Sequence, residues 1–159
     1  PYLCIPNIKE RFKNTLILRM IEFFSENDFQ LTHQKELTTW IGDTLQCEGM
    51  ELGELTFVFS DDAYLHSINV EFLAHDTYTD IITFDYNLGK QVHGEIYIST
   101  ERVAENAKQF QVSFKEELFR VLIHGVLHLC GYKDKSLEET QLMREKENFY
   151  LKKIAYLSA

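Results

Sequence analysis

Two histidines and an aspartate towards the end of the chain have the residue types and spacing of a metal site. His124 and His128 are four residues apart in an apolar stretch that predicts a helix, so both rings lie on one face. Gly131 is suited to end this helix, because glycine tolerates the left-handed conformation at a helix C-terminus. The chain can then turn back and bring Asp134 beside the two rings. Two imidazoles and one carboxylate, with a fourth position for water, form the donor set of a catalytic zinc site.

The same residues allow a structural interpretation, and they disfavour one kind of chemistry, the hydrolysis of peptides. Histidines on an apolar helix are often hydrogen-bonded core residues that bind nothing, so the spacing alone leaves that alternative open. In zinc proteases of the HExxH type, a general-base glutamate directly follows the first histidine. Here that position is Gly125. Peptide hydrolysis would therefore need a base from elsewhere in the chain.

The elements that must position these residues follow from hydrophobic periodicity and capping signals. Apolar positions predict a helix over about 32–47, with Thr32 as its N-cap, and helices after Asp61 or Asp62 and over about 100–110. Ser113 and Ser136 each precede a glutamate by three residues, which is the capping-box spacing that opens a helix. Strands are predicted at 20–24, 54–60, 81–86 and 95–99, the last two pairing as a hairpin. The predicted fold class is α+β, a single domain whose small mixed sheet of about four strands is packed by helices, with the metal site on a central helix.

Length and charge limit the organisation of the chain. Its 159 residues, 45% hydrophobic and 26% charged, suit one globular domain. Residues 1–19 carry four basic residues against Glu10, a net charge of +3, so residues 20–159 carry −12 of the total −9. We interpret 1–19 as an extension outside the folded domain of 20–159, with a first helix over 8–18 as the alternative. The acidic total does not suggest a protein that binds polyanions by bulk charge.

Cysteine usage and hydropathy predict a cytoplasmic protein. The three cysteines are widely spaced and form no CxxC pair, which favours free thiols in a reducing compartment. The most apolar N-terminal run, 16–24, is interrupted by Arg19 and Glu22 and is too short to span a membrane.

Three segments resemble one known family, the YbeY-type endoribonucleases, which are rRNA maturation factors. The most specific is HGVLHLCGYKD, which is similar to the family signature HGxLHLxGYDH. The segment 69–84 is similar to the family segment ending TDVLSF, and 94–99 is similar to its GDIxIS strand. The resemblance extends from about Met20 to the C-terminus and does not include 1–19.

The resemblance assigns roles to individual positions. The family's metal ligands fall on His124, His128 and Asp134, the last in place of the usual third histidine. An anionic oxygen there would leave the metal a weaker Lewis acid. Lys133 stands where the family usually has aspartate, and Leu73 aligns with the arginine proposed to act on the substrate. Arg120 and Lys133 are our candidates for that missing cation.

The resemblance implies a metal-dependent, single-strand-specific endoribonuclease acting in rRNA maturation and ribosome quality control. It would hold one divalent metal ion, expected to be Zn²⁺, and would act on rRNA or ribosomal particles, with a ribosomal protein or a GTPase as a partner. Two alternatives remain: a non-catalytic ribosome-assembly factor whose metal is structural, and a metallohydrolase of another substrate such as a peptide.

Overall fold

The computed structural model describes residues 20–73 and 79–158. Ten elements follow one another along these residues: β1 Ile21–Ser25, α1 Gln34–Cys47, β2 Glu51–Ser60, α2 Asp62–Leu73, β3 Ile81–Asp85, β4 Gln91–Ser99, α3 Thr100–Phe110, α4 Phe114–Leu129, α5 Leu137–Leu151 and α6 Ala155–Ser158. The predicted extension over 1–19 lies outside the described residues, so it stays a prediction.

The four strands form one mixed sheet in the order β1-β2-β4-β3. β1 and β4 both run parallel to β2, whereas β3 runs antiparallel to β4. Ile81 pairs with Ile98, and Asp85 pairs with Gly94, which confirms the predicted hairpin. The predicted α+β class and the small mixed sheet are therefore confirmed.

The central helix α4 covers one face of this sheet and forms the middle of the core. It contacts the strands β3 and β4, and its buried side chains share one core with those of β2 and β4. Members of this core that are fully buried include Phe57, Ile96, Ile98, Leu122, Ile123, Val126 and Leu127. Burying one such side chain contributes roughly 1.5–3 kcal/mol, so the apolar face of α4 fixes its position firmly.

Gly125 lets α4 lie close to the sheet. A Cβ atom at this position would come within 2.8 Å of Ile81 Cδ1 and 3.1 Å of Ile96 Cδ1. The face of α4 that carries Gly125 is therefore filled by the sheet, and the histidines lie on a different face of the helix.

The helix boundaries agree with the capping signals at all but one position. Asp61 Oδ1 accepts the amide of Tyr64 at 2.7 Å, which settles the cap of α2. Ser136 and Glu139 form the complete capping box at the start of α5. The prediction of Thr32 as an N-cap was wrong: α1 begins at Gln34, and the N-cap residue His33 has φ 59° with no side-chain hydrogen bond.

Two strands begin earlier than their composition indicates. β2 starts at Glu51 and β4 at Gln91, because their pairing continues beyond a register shift between Leu52 and Leu55. At this irregularity the ring of His93 lies over Gly53, and its Nδ1 accepts the amide of Glu54 at 3.0 Å. His93 thus has a structural partner in the sheet.

Within the described ranges, no helix combines the length and the apolar character needed to cross a bilayer.

Candidate metal centre

Three potential ligand atoms converge where α4 ends and the chain turns back. The Nε2 atoms of His124 and His128 are 3.0 Å apart. Asp134 Oδ2 lies 3.2 Å from His128 Nε2 and 3.3 Å from His124 Nε2. Over residues 20–73 and 79–158 this is the one cluster of three or more histidine, cysteine or acidic side chains whose ligand atoms lie close enough to share a metal ion.

Local structure explains why the three residues meet. The four-residue spacing places both rings on one face of α4, and their centroids are 4.5 Å apart. Gly131 follows with φ 102°, a conformation that residues other than glycine rarely adopt. The amides of Gly131 and Tyr132 donate to the carbonyls of His128 and Leu127, so the chain reverses directly after the second histidine. The predicted turn that brings Asp134 to the histidines is confirmed.

Each imidazole is oriented by a hydrogen bond to its other nitrogen. His128 Nδ1 lies 2.9 Å from the backbone carbonyl of Tyr132. His124 Nδ1 lies 2.8 Å from Glu147 Oε2. Both partners accept hydrogen bonds, so each ring carries its proton on Nδ1 and directs Nε2 towards the cluster. An outer partner that fixes the tautomer in this way is typical of metal-bound histidine.

Glu147, on α5, is the residue of the candidate site that the sequence interpretation missed. Its side chain is only 5% exposed, and its second oxygen, Oε1, accepts from Arg120 Nη1 at 3.0 Å. Burial alone would raise the pKa of Glu147, but the hydrogen bonds from His124 and Arg120 outweigh it and lower the pKa. Burial likewise would lower the pKa of His124, but the Glu147 carboxylate outweighs it and raises the pKa.

The donor set fits a divalent cation. Two imidazole Nε2 atoms and a carboxylate oxygen face one another at 3.0–3.3 Å, and each can donate a lone pair to one cation placed between them. Donor atoms around a tetrahedral zinc ion with bonds of about 2.0–2.1 Å are roughly 3.3 Å apart. The residues present therefore match a metal in both chemistry and spacing.

A cavity of about 250 Å³ opens beside the cluster. Its lining includes the ligand candidates His124 and Asp134, the acids Asp80 and Glu117, and the cations Arg120 and Arg144. Arg120 Nη1 is hydrogen-bonded to Glu147 and, at 3.0 Å, to Asn148 Oδ1. Lys133 is exposed and directly precedes Asp134. Of the two candidate cations, Arg120 thus lines the cavity, and Lys133 lies on the exposed turn.

Asp80 has a different set of partners from the ligand candidates. Its backbone carbonyl accepts the amide of Ser99 at 3.0 Å, and its carboxylate accepts from Asn106 Nδ2 at 3.4 Å. Burial raises the pKa of this carboxyl, while the nearby His124 opposes the shift. The Nδ1 atoms of His124 and His128 are hydrogen-bonded to Glu147 and to the Tyr132 carbonyl, respectively, so Asp80 orients neither ring.

Leu73, at the position of the family arginine, is the last residue of α2 and is 41% exposed. The five residues that follow it lie outside the described ranges.

The fold and the site together define the class: a small α+β protein with a candidate His-His-Asp metal centre on its central helix, at the edge of a cavity. The sequence profile of the family described as "Endoribonuclease YbeY" matches residues 21–155. The chain belongs to the endoribonuclease YbeY family.

Relatives and a solved structure agree with this assignment. The chain is 58% identical over 127 residues to endoribonuclease YbeY of Christiangramia forsetii, covering 80% of this chain and 89% of the relative. It is 53% identical over 129 residues to the Flavobacterium johnsoniae protein of the same name, covering 81% and 93%. The solution structure of a Thermotoga maritima protein superposes with a TM-score of 0.62 at 25% identity, covering 86% of this chain and 93% of that one.

Proposed function

We propose that this protein is a metal-dependent endoribonuclease that cleaves single-stranded RNA during rRNA maturation and ribosome quality control. Membership of the family supports hydrolysis of RNA. The observation that carries the metal dependence is the convergence of His124, His128 and Asp134, with both histidine Nδ1 atoms already occupied by acceptors.

We propose that these three residues hold one zinc ion. When bound, a divalent ion lowers the pKa of a water molecule towards about 7 and stabilises negative charge on a phosphate. The chain's own contribution is to keep both Nε2 atoms unprotonated and aimed at one point, through the Glu147 carboxylate and the Tyr132 carbonyl.

The two candidate cations have separate roles in this proposal. Arg120 holds Glu147 in place and adds positive charge to the wall of the cavity. Lys133, exposed beside Asp134, contacts a nonbridging phosphate oxygen of the RNA and so supplies the charge that Leu73 lacks.

The acidic chain also supports a protein partner. Because residues 20–159 carry a net charge of −12, attraction of phosphates by bulk charge contributes little. We propose that a ribosomal protein or a ribosome-associated GTPase brings the enzyme to its rRNA substrate in the cytoplasm.

Replacing His128 by alanine tests the catalytic proposal. We expect the variant to fold but to lose RNA cleavage by at least about a hundredfold, since loss of one of three ligands removes the metal. The matched control is His66→Ala, on α2 and outside the cluster, which should cleave normally. Circular dichroism and bound-zinc analysis check the fold and the occupancy of each variant.

The third ligand position provides a rescue. Asp134→Ala should lose zinc and activity, whereas Asp134→His restores the ligand type usual in the family and should retain both. Zinc-loaded wild-type protein that cuts neither single-stranded RNA nor rRNA, but binds ribosomal particles, would favour the assembly-factor alternative. Cleavage of a peptide instead would favour the metallohydrolase alternative, although the packing around Gly125 leaves no space for a base at the HExxH position.

A further inference from the structure

Tyr132 connects the candidate metal centre to the partly buried carboxylate of Glu48 on the other side of the turn. We propose that Glu48 and Tyr132 are positioning residues: Glu48 holds the Tyr132 side chain, Tyr132 holds the His128 ring through its carbonyl, and this chain of contacts sets the metal affinity. The inference rests on the proposed metal site but names residues that do not touch the metal.

Three contacts fix Tyr132, and each uses a different polar group. Its amide donates to the Leu127 carbonyl at 3.1 Å, within the turn that ends α4. Its carbonyl accepts from His128 Nδ1 at 2.9 Å. Its hydroxyl donates to Glu48 Oε2 at 2.6 Å, a contact between residues 84 positions apart in sequence. The direction of the carbonyl is therefore determined by the backbone on one side and by the side chain on the other.

The carboxylate of Glu48 is itself held by three donors. The Glu48 side chain is 9% exposed and directly follows α1. Besides Tyr132, it accepts from Lys146 Nζ at 3.0 Å and from the Tyr150 hydroxyl, both on α5. Lys146 Nζ also lies 5.4 Å from the centre of the Tyr132 ring, which adds a cation–π contact. Glu48 thus joins α1, the turn and α5.

The position of Tyr132 makes this anchor necessary for the ligand geometry. Gly131, directly before it, has a positive φ and no side chain to restrict the turn. Without the hydroxyl contact, the Tyr132 ring would keep its packing against the core and the Lys146 contact but would lose the hydrogen bond that fixes its far end. A change in the direction of the Tyr132 carbonyl rotates the His128 ring, and a ligand that is less well oriented binds metal more weakly.

The chain offers a matched pair of variants. Tyr132→Phe and Tyr150→Phe each remove one hydroxyl donated to the same carboxylate, but only Tyr132 contacts a metal ligand. If Glu48 and its tyrosines only stabilise the fold, the two variants will behave alike. If Tyr132 positions His128, they will differ in metal binding at similar stability.

The experiment is a zinc titration of metal-free protein against a chromophoric competitor, together with urea unfolding of the same metal-free samples. We expect Tyr132→Phe to weaken zinc binding about tenfold and Tyr150→Phe to change it less than about twofold. The absorption spectrum of bound Co²⁺ should shift in Tyr132→Phe only. Glu48→Gln, which keeps an acceptor oxygen, should lose less zinc affinity than Glu48→Ala.

The inference is overturned if Tyr132→Phe binds zinc as wild type does, or if both tyrosine variants weaken it equally. A wild-type protein that binds no zinc would instead overturn the metal proposal itself, which keeps the two failures distinct.

Discussion

Glu147 divides its two carboxylate oxygens between a candidate metal ligand and a cation. One oxygen accepts from His124 and the other from Arg120, and the side chain is buried between α4 and α5. Burial alone would raise the pKa of this carboxyl, but the hydrogen bonds from His124 and Arg120 lower it and so favour the charged form. The residue is thus equipped to fix the tautomer of His124 near neutral pH.

Replacing Glu147 by glutamine should weaken zinc binding by about 10–100-fold, because the uncharged amide holds His124 Nδ1–H less strongly. The matched control is Glu145→Gln, which changes an exposed acid on the same helix by the same atoms. Competition titration with a zinc chelator measures both variants. Equal affinities in the two variants would show that Glu147 does not act on the site.

The position of Glu147 among the apolar residues of α5 is a signal in the sequence that our interpretation of the helix did not use. Met143, Glu147 and Tyr150 are spaced as one face of α5, and all three are buried. An acid on the apolar stripe of a helix is expected to have a buried polar partner, and the two histidines of α4 were candidates for that partner. By contrast, the hydrogen bond between His128 Nδ1 and the Tyr132 carbonyl could not be predicted. Every residue has a backbone carbonyl, and the folded structure determines which one lies beside the ring.

At the scale of elements, α4 serves both the core and the site. Its apolar pattern, the four-residue spacing of the histidines and the glycine after its end made the helix and the convergence of His124, His128 and Asp134 predictable. The early starts of β2 and β4 were not, because the strand pairing continues past an irregularity that depends on Gly53 and His93 from different strands. Thr32 failed as a cap because His33 adopts a left-handed conformation and the helix starts one residue later.

Gly125→Glu would create the HExxH motif in α4, but we expect the variant to lose stability and to have no peptidase activity. The new side chain would meet Ile81 and Ile96 and place a charge against the sheet, which should destabilise the protein by about 3 kcal/mol or more. Lys115→Glu, on the exposed first turn of the same helix, should change stability by less than about 0.5 kcal/mol. Urea unfolding compares the two, and a Gly125→Glu protein as stable as wild type would contradict the packing argument.

Glu48 joins three elements, and its contribution to stability should depend on pH. Burial alone would raise the pKa of Glu48, but the hydrogen bonds from Tyr132, Tyr150 and Lys146 lower it below the ordinary value of a glutamate. A carboxylate with a lowered pKa in the folded state contributes stability above its unfolded pKa and loses it as the pH falls through its folded pKa.

We expect the metal-free wild type to have a free energy of unfolding about 1–3 kcal/mol higher than that of Glu48→Gln near pH 7, because the variant loses charge-assisted hydrogen bonds. The difference should shrink as the pH falls below 4.5 towards the folded pKa. Urea unfolding at several pH values measures it. A difference that stays constant or grows in acid would contradict the assignment.

At the scale of the whole molecule, the net negative charge of the protein opposes the binding of its proposed substrate, RNA, which is also negatively charged. An acidic protein that binds RNA must do so through a few local cations, so its affinity should depend only weakly on salt.

We expect the slope of log K against log salt to correspond to about two or three phosphates, with about 0.7 per phosphate for single-stranded RNA. Lys133→Ala should reduce that slope by about 0.7, whereas Lys90→Ala, on the turn between β3 and β4, should not. Fluorescence anisotropy between about 50 and 200 mM salt measures both. A steep slope that is unaffected by Lys133→Ala would place RNA binding elsewhere.

Because α4 carries the two histidines on one face and core residues around them, the backbone of the histidines and the core should open in a single event. We expect the amides in the buried C-terminal half of α4 to exchange with solvent only when the core opens, so their exchange rates should report global unfolding. A metal that binds only the folded chain should then slow the exchange of all the core amides by one common factor, which grows with metal concentration. The backbone that carries the two histidines should therefore stay in place for as long as the protein is folded.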